Sequence, residues 1–169
     1  MQKKLNHHDS LQAWLSYIEK IHPSDIKLGL DRVFQVKKFT NIVPNFPIIV
    51  IGGTNGKGSV CSFIESILYQ SGLNVGCYTS PHFLRFNERI RINKKEVNNK
   101  IIVKSLNFID NKRQDVPLTY FEITTLAAVN IFIEAKIDIA ILEIGLGGRL
   151  DAVNIFDPIV SLLTTISFD

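Results

Sequence analysis

The sequence predicts an α/β fold with one mostly parallel sheet that is covered by helices on both faces. Short apolar runs rich in β-branched residues lie at positions 47–51, 137–144 and 159–166, and such near-continuous runs are typical of strands buried in a parallel sheet. Segments with apolar residues at helical spacings alternate with these runs. A length of 169 residues is enough for one such domain but not for two of ordinary size.

The first helix is predicted to begin at Ser10, whose hydroxyl is a typical N-cap, and to end before Pro23. Its apolar residues recur at spacings of three and four: Leu11, Trp14, Leu15, Ile18 and Ile21. Residues 27–39 have only a weak helical pattern. Pro44 and Pro47 then mark the entry to the first buried strand.

Three more helices and a second strand follow. A helix is predicted over residues 60–70, ending at Gly72. Its apolar stripe consists of Val60, Phe63, Ile64, Ile67 and Leu68. A strand is expected over residues 73–79, and helices are expected over residues 98–112 and 121–135.

Residues 89–97 alternate in a way that predicts a β-hairpin turning near Asn93. Basic residues cluster around this segment: Arg85, Arg89, Arg91, Lys94 and Lys95. Because Asn87, Glu88 and Glu96 interleave with them, a solvated hairpin face is favoured over a nucleic-acid site.

The bulk composition excludes several classes of protein. A net charge of +3 is too small to indicate a nucleic-acid partner. Cys61 and Cys77 do not have metal-ligand spacing and are predicted to be small core residues. The sequence has no apolar signal core near its start and no apolar run long enough to span a membrane. These features predict a cytoplasmic protein with no membrane partner.

A glycine-rich loop lies between the first buried strand and the helix that follows it. It consists of Gly53, Thr54, Asn55, Gly56, Lys57, Gly58 and Ser59. Glycines allow close approach of the backbone to an anion, and the amides at a helix N-terminus point at it. Lys57 is placed to reach outer phosphates, and Ser59 is placed near a Mg2+ position. The loop therefore predicts a P-loop-type ATP site, although Gly58 separates the lysine from the serine; the alternative is a tight turn only.

A second candidate group follows the strand at residues 137–144. Glu143 lies near the end of this strand and precedes a glycine run, so it is expected at the same sheet edge as the phosphate loop. A carboxylate there is a candidate Mg2+ ligand, and the alternative is a capping or ion-paired glutamate, with Arg149 as partner. Ser80 ends the neighbouring strand and is a candidate for the same ion, although a Ser-Pro turn alone is more often structural.

Several other polar residues have an ordinary structural interpretation on their own. Thr119 is a candidate helix cap with Glu122 at the capping-box offset, next to an aromatic packing residue. His82 alone indicates a surface or turn histidine. Asp151 and Asn154 are typical turn formers.

Together these segments resemble the folylpolyglutamate synthase/dihydrofolate synthase family of the Mur ligase superfamily. Four pieces carry the resemblance, in family order: residues 53–59, Thr79-Ser-Pro-His82 leading to Asn87-Glu-Arg-Ile-Arg91, Leu118-Thr-Tyr-Phe-Glu122, and Glu143-Ile-Gly-Leu-Gly-Gly-Arg-Leu-Asp-Ala152 with Asn154. The folate branch is favoured over the peptidoglycan ligases, whose loop usually reads Gly-Lys-Thr. The resemblance implies a Mur-ligase-like central ATPase domain.

The resemblance also implies an activity: an ATP-dependent amide ligase that adds L-glutamate to a folate or dihydropteroate carboxylate through an acyl phosphate. The implied cosubstrate is ATP, with Mg2+ held by Ser59, Ser80 and Glu143, and the implied catalytic residues are Lys57 and Glu143. The residues implied to bind the pterin or folate are Ser80, Pro81, His82, Thr119, Tyr120, Phe121, Glu122, Leu150, Asp151 and Ala152.

The sequence departs from the family pattern at Asp169, its last residue, because in the family this stretch runs into an Asp-His pair whose histidine is a further metal ligand. We therefore expect residues 1–169 to be the N-terminal part of the ATP-binding ligase domain, without the C-terminal domain. A separate polypeptide that supplies the other half is one alternative. Others are a nucleotide-binding remnant without turnover and another Mur-type ligase. Apolar faces around the last strand also predict low solubility or self-association.

Overall fold

The computed structural model describes residues 5–21 and 29–167. These ranges contain helices α1 (Leu11–Lys20), α2 (Asp31–Thr40), α3 (Lys57–Gln70), α4 (Asn99–Lys112) and α5 (Tyr120–Glu134). They also contain strands β1 (Ile48–Gly52), β2 (Val75–Tyr78), β3 (Ile90–Ile92), β4 (Lys95–Glu96), β5 (Ile139–Glu143) and β6 (Val160–Leu163). The predicted stop at Pro23 lies outside the described residues.

The six strands form one sheet in the order β4-β3-β2-β5-β1-β6. Strands β1, β2, β5 and β6 are parallel, whereas β3 and β4 form the predicted hairpin and run antiparallel. Asn93 and Lys94 at the hairpin turn both have positive φ values, of 51° and 64°, as a two-residue turn of this kind requires. The prediction of a mostly parallel sheet is confirmed.

Helices cover both faces of the sheet, as predicted. On one face α3 packs over a small apolar cluster, which contains Ile51, Cys61, Val75, Cys77, Ile139 and Ile141. On the other face α1, α2, α4 and α5 form the larger core, with the fully buried Trp14, Phe132 and Leu106 among its members. Both cysteines are buried and free, which confirms their prediction as small core residues.

The caps predicted for two helices are present. The Ser10 hydroxyl accepts a hydrogen bond from the Ala13 amide at the start of α1. At the start of α5, the Thr119 hydroxyl accepts from the Glu122 amide, and the Glu122 carboxylate accepts from the Thr119 amide at 2.6 Å. This reciprocal pair is a capping box and satisfies two amides that the helix itself leaves without partners.

The apolar stripe predicted for α3 is partly wrong. Val60, Ile64 and Leu68 pack on the sheet, but Phe63 and Ile67 are 69% and 65% exposed. Each residue turns the helix by about 100°, so positions 63 and 67 lie to the side of the stripe that contacts a flat sheet. Cys61 and Glu65 are buried in their place.

Strand β6 lies at one edge of the sheet, paired only with β1 among the described strands. All four of its residues are exposed, including Val160, Leu162 and Leu163. The apolar edge expected from the sequence is therefore present.

Within residues 5–21 and 29–167, no helix combines the length and the apolar character that a membrane span requires.

Candidate functional site

The phosphate loop joins β1 to α3 through two glycines with positive φ. Gly53 has a φ of 128° and Gly56, which caps α3, has a φ of 88°. Such angles strain any residue with a side chain, and a Cβ on Gly53 would also collide with the Thr164 side chain. The loop thus delivers the first amides of α3, which have no acceptor within the helix, to the carboxyl edge of the sheet.

The loop is held from two sides. The Lys57 ammonium donates to the carbonyl oxygens of Gly53 at 2.6 Å and Thr54 at 3.2 Å, so this side chain folds back over the loop. The amides of Thr54 and Asn55 both donate to the carbonyl oxygen of Thr165, which follows β6. The first half of the loop is therefore paired with the chain after β6, while the helix-proximal half remains open.

A cavity of about 770 Å³ lies in front of this loop, and we call it the phosphate cavity. Its lining brings together most of the residues predicted for ATP and metal binding, namely Thr54, Asn55, Gly56, Lys57, Gly58, Ser59, Ser80 and Glu143, and also Pro81, which is predicted for pterin or folate binding. The lining also includes Thr79, Arg91 and the exposed Phe63 and Phe83.

Glu143 lies at the carboxyl end of the central strand β5, directly beside Ile51 of β1. It is only 3% exposed, and its Oε2 accepts a hydrogen bond from the Ser80 amide at 2.9 Å. Its Oε1 faces the loop, 4.0 Å from the place where a Cβ on Gly58 would stand. Burial raises the pKa of this carboxyl, while the Ser80 amide and the charges of Lys57 and Arg91 oppose the rise.

The donor set around Glu143 fits a hard cation. Mg2+ is bound in proteins through one or two carboxylates and completes its shell with water and phosphate oxygens. Glu143 offers the carboxylate oxygen that faces the loop, and the hydroxyl-bearing residues Ser59 and Ser80 line the same cavity. Among the described residues, no cluster of three or more His, Cys, Asp or Glu side chains forms a metal site by itself. A cation at Glu143 would therefore depend on oxygens from a bound ligand.

The structure places His82 and Tyr120 away from the phosphate cavity. They line a separate cavity of about 860 Å³ between α1 and the hairpin. The His82 Nδ1 accepts a hydrogen bond from Arg89 at 2.8 Å. The Arg89 guanidinium lies 5.7 Å from the ring centroids of both Phe86 and Tyr120. Of the Ser80-Pro81-His82 turn, the structure thus brings only the first two residues to the loop.

The polar atoms of the predicted ring-binding segment at the start of α5 already have partners. Glu122 accepts from Thr119 and forms an ion pair of 3.2 Å with Arg32. Phe121 lies between Tyr78, at a ring-centroid distance of 5.7 Å, and the backbone of Gly145. The aromatic ring therefore packs against the start of the glycine run that follows β5.

Asp151 shapes that glycine run. Its carboxylate is 7% exposed and accepts hydrogen bonds from the amides of Gly145, Leu146 and Val153 at 2.9 to 3.0 Å. Burial raises the pKa of Asp151, and these amides oppose the rise. Ala152 beside it is buried, whereas Leu150 is 49% exposed. Asp151 is thus a turn former, as predicted, and its buried carboxylate also holds the first amides of the glycine run.

Sequence reasoning missed the position of Arg91. The sequence favours a solvated hairpin face for the cluster that includes Arg91, but its guanidinium forms an ion pair of 2.9 Å with Glu65 of α3, and the two side chains are only 19% and 3% exposed. Ile90 and Ile92 contact the larger core, so the alternation of a strand turns Arg91 toward α3. That alternation, with Glu65 one turn from Cys61, was the signal that could have identified the pair.

This fold, with its glycine loop, basic residue and carboxylate at the carboxyl edge of a parallel sheet, defines a phosphate-loop α/β protein. No family model matches the sequence. The chain is 48% identical over 160 residues to a dihydrofolate synthase/folylpolyglutamate synthase of Haemophilus influenzae and 44% identical to that of Escherichia coli. Each match covers 94% of the chain, and the chain spans 36% and 38% of the length of these two relatives.

Solved structures agree with these relatives. The structure of Escherichia coli FolC in complex with DHPP and ADP matches with a TM-score of 0.95 and 42% identity, over 98% of this chain and 40% of that one. A bifunctional folylpolyglutamate synthase/dihydrofolate synthase with Mn, AMPPNP and L-glutamate bound matches with a TM-score of 0.94 and 44% identity, over 99% and 41%. The chain belongs to the dihydrofolate synthase/folylpolyglutamate synthase family and corresponds to the N-terminal part of those proteins.

Proposed function

We propose that this chain forms the N-terminal part of the ATP-binding domain of an amide ligase that adds L-glutamate to a folate or dihydropteroate carboxylate. The observation that carries the proposal is the convergence of Lys57, Ser59, Ser80 and Glu143 on one cavity. It is supported by the relatives, whose names specify dihydrofolate and folylpolyglutamate synthesis, and by solved neighbours bound to ADP or AMPPNP.

In this proposal the residues from Gly53 to Ser59 bind the phosphates of ATP, and the Lys57 ammonium leaves the Gly53 and Thr54 carbonyls to contact the transferring phosphoryl group. Ser59, Ser80 and Glu143 hold Mg2+, which supplies charge neutralisation when it is bound. Phosphoryl transfer needs little covalent chemistry from the protein, so positioning and electrostatics supply most of the rate.

The proposed reaction has two steps. An oxygen of the folate or dihydropteroate carboxylate attacks the γ-phosphorus of ATP, ADP departs, and an acyl phosphate forms. The α-amine of glutamate then attacks the acyl carbon, phosphate departs, and the amine loses its proton as the amide forms. Lys57 offsets the negative charge that spreads over the phosphoryl oxygens in the first step.

We further propose that the pterin or folate is bound by the turns that follow β2 and β5 together with the start of α5. Ser80 and Pro81 line the phosphate cavity, and the ring of Phe121 is a candidate stacking surface beneath the glycine run. The other proposed residues are His82, Thr119, Tyr120, Glu122, Leu150, Asp151 and Ala152. Because the carboxylates of Glu122 and Asp151 are already bound to backbone amides, their proposed role is to hold these turns in shape.

Two broader assignments accompany this function. The proposed small-molecule partners are ATP, glutamate and dihydropteroate or a reduced folate, with a separate C-terminal polypeptide as a further candidate. We also propose a cytoplasmic location, because MgATP is an abundant metabolite of that compartment.

The proposal is tested by incubating the purified chain with MgATP, labelled glutamate and either dihydropteroate or tetrahydrofolate. Lys57→Ala serves as the inactive control. Labelled folate product that depends on Lys57 would support the ligase in these residues alone. Binding of MgAMPPNP without product would support the nucleotide site and assign turnover to a longer protein, and absence of both would refute the proposal.

A further inference from the structure

Arg91 lies at the wall of the phosphate cavity and contacts several segments at once; we call this group of contacts the Arg91 junction. Its Nε and Nη2 donate to the Glu65 carboxylate at 3.0 and 2.9 Å. Its Nη1 donates to the Thr79 hydroxyl at 3.2 Å and to the Glu88 carbonyl at 2.9 Å, and Nη2 also reaches the Cys77 sulfur at 3.3 Å. All of its guanidinium nitrogens are therefore engaged, and its planar fork fixes the angle of each partner.

Glu65 connects this junction to the phosphate loop. It is 2% exposed and lies on α3, about two turns or 12 Å after Lys57, on the helix whose N-terminus forms the anion cradle. Both short hydrogen bonds go to the Glu65 Oε2, while Oε1 is 3.4 Å from Nε. The two side chains are only 19% and 3% exposed, and such a largely buried pair holds its geometry better than a solvent-exposed pair does. The position of α3 relative to β3 is thus fixed by a rigid contact.

Thr79 connects the same junction to the metal-site residues. It directly precedes Ser80, whose amide donates to Glu143 Oε2. Arg91 therefore contacts both the helix that carries Lys57 and Ser59 and the strand end that leads to Ser80 and Glu143. These two groups face each other across the phosphate cavity, which Arg91 itself lines.

We propose that Arg91 is a positioning residue for metal-assisted nucleotide binding: with Glu65, it sets the separation between the phosphate-loop helix and the Ser80–Glu143 edge. This inference rests on the proposed MgATP site and deepens it. A cation between the two groups has to contact protein oxygens on one side and nucleotide phosphates on the other. Its binding depends on that separation, whereas binding of a nucleotide without metal depends on the loop alone.

The test measures the affinity for AMPPNP by calorimetry, once with Mg2+ and once with EDTA. The ratio of the two dissociation constants reports the contribution of the metal. The first variant is Arg91→Lys, which keeps the positive charge but loses the planar guanidinium with its several donors. The second is Glu65→Gln, which keeps the size of the side chain but loses its negative charge. Arg85→Lys is the matched control, because Arg85, a few residues before β3, forms a more exposed pair with Glu96 of β4, with side chains 69% and 32% exposed.

We expect both variants to lower the metal-dependent gain in affinity by about tenfold, as loss of a group that orients metal ligands does, with metal-free affinity retained. Arg85→Lys should leave both affinities unchanged. Equal loss with and without Mg2+, or no loss, would overturn the positioning role. If Arg91→Lys does not fold, the affinities of Glu65→Gln with and without Mg2+ provide the test. Failure of the wild-type chain to bind MgAMPPNP would instead refute the proposed function on which this inference rests.

Discussion

The ring of Phe121 lies so close to Gly145 that a Cβ on this glycine would stand 2.6 Å from the ring Cζ and 2.8 Å from Cε2. Phe121 is the second residue of α5, and Gly145 opens the glycine run after β5. The absence of a side chain at position 145 therefore lets two elements of the candidate site touch.

We expect Gly145→Ala to destabilise the fold by about 1–3 kcal/mol, because it overpacks a contact that has no free space. Urea denaturation measures the loss. Combining it with Phe121→Leu should recover part of the loss, since the ring is the obstacle. Gly148→Ala is the matched control, because a Cβ there meets no atom within 4 Å; an equal loss in the control would contradict this account.

Lys57→Ala should weaken the binding of MgAMPPNP by about 10- to 100-fold, the usual contribution of charge-assisted hydrogen bonds to a ligand. Calorimetric titration measures the change. Lys112→Ala, which removes an exposed lysine at the end of α4, controls for net charge. Equal affinities for all three proteins would show that Lys57 does not contact the nucleotide.

The stability of the turn before β3 should depend on pH through Glu88. Its carboxylate accepts hydrogen bonds from the amides of Phe83, Arg85 and Leu84, which lower its pKa from the ordinary 4.5. A carboxyl whose pKa is lower in the folded state adds stability above its unfolded pKa and loses it as the pH falls through the folded value.

The free energy of unfolding should therefore decrease as the pH falls from about 5 to 3. Glu88→Gln should show a shallower decrease and a lower stability at neutral pH. Urea titrations at each pH provide the measurement. A variant with the wild-type slope would show that these three hydrogen bonds do not favour the ionised form.

Removal of the cap of α5 should cost about 1 kcal/mol, the usual effect at an N-cap threonine. Thr119→Ala leaves the Glu122 amide without its side-chain acceptor, whereas Thr119→Ser keeps a hydroxyl there. Chemical denaturation compares the two, and we expect the serine variant to retain most of the stability. Equal losses would assign the effect to the threonine methyl group instead of the hydrogen bond.

The exposed apolar residues of α3 and β6 should cause the chain to self-associate. Ile67 and Leu163 are 65% and 72% exposed, and β6 presents an unpaired edge within the described sheet. Ile67→Lys with Leu163→Lys should shift sedimentation toward the monomer, whereas Gln70→Lys on the same helix should not. A monodisperse wild-type monomer would refute this prediction.

The sequence predicted the position of those parts of the candidate site that depend on local patterns. The phosphate loop, the Thr119 cap and the strand ending at Glu143 each have a pattern that is complete within a few residues. Glu143 and the phosphate loop line the same cavity, as expected for the carboxyl ends of neighbouring parallel strands.

The missed features depend on contacts between distant segments. The Arg91–Glu65 ion pair is an example. The alternation along β3 indicates which face of the sheet Arg91 takes, but no local pattern specifies that β3 pairs with β2 or that α3 covers that face. Likewise, Phe63 belongs to an apolar stripe by spacing, but the sheet contacts only part of the stripe. His82 follows Ser80 and Pro81 in sequence, yet the chain turns it into another cavity.

The position of β5 between β1 and β2 has a consequence for how the protein is made. A ribosome delivers β1, the phosphate loop, α3 and β2 well before β5, so these early segments emerge with a gap in the sheet where β5 will lie. Pairings between distant segments form late and slowly because the intervening chain has to be ordered first. The nascent loop therefore lacks the Glu143 side of its cavity until the central strand inserts, and the proposed metal–nucleotide site is incomplete before that pairing forms.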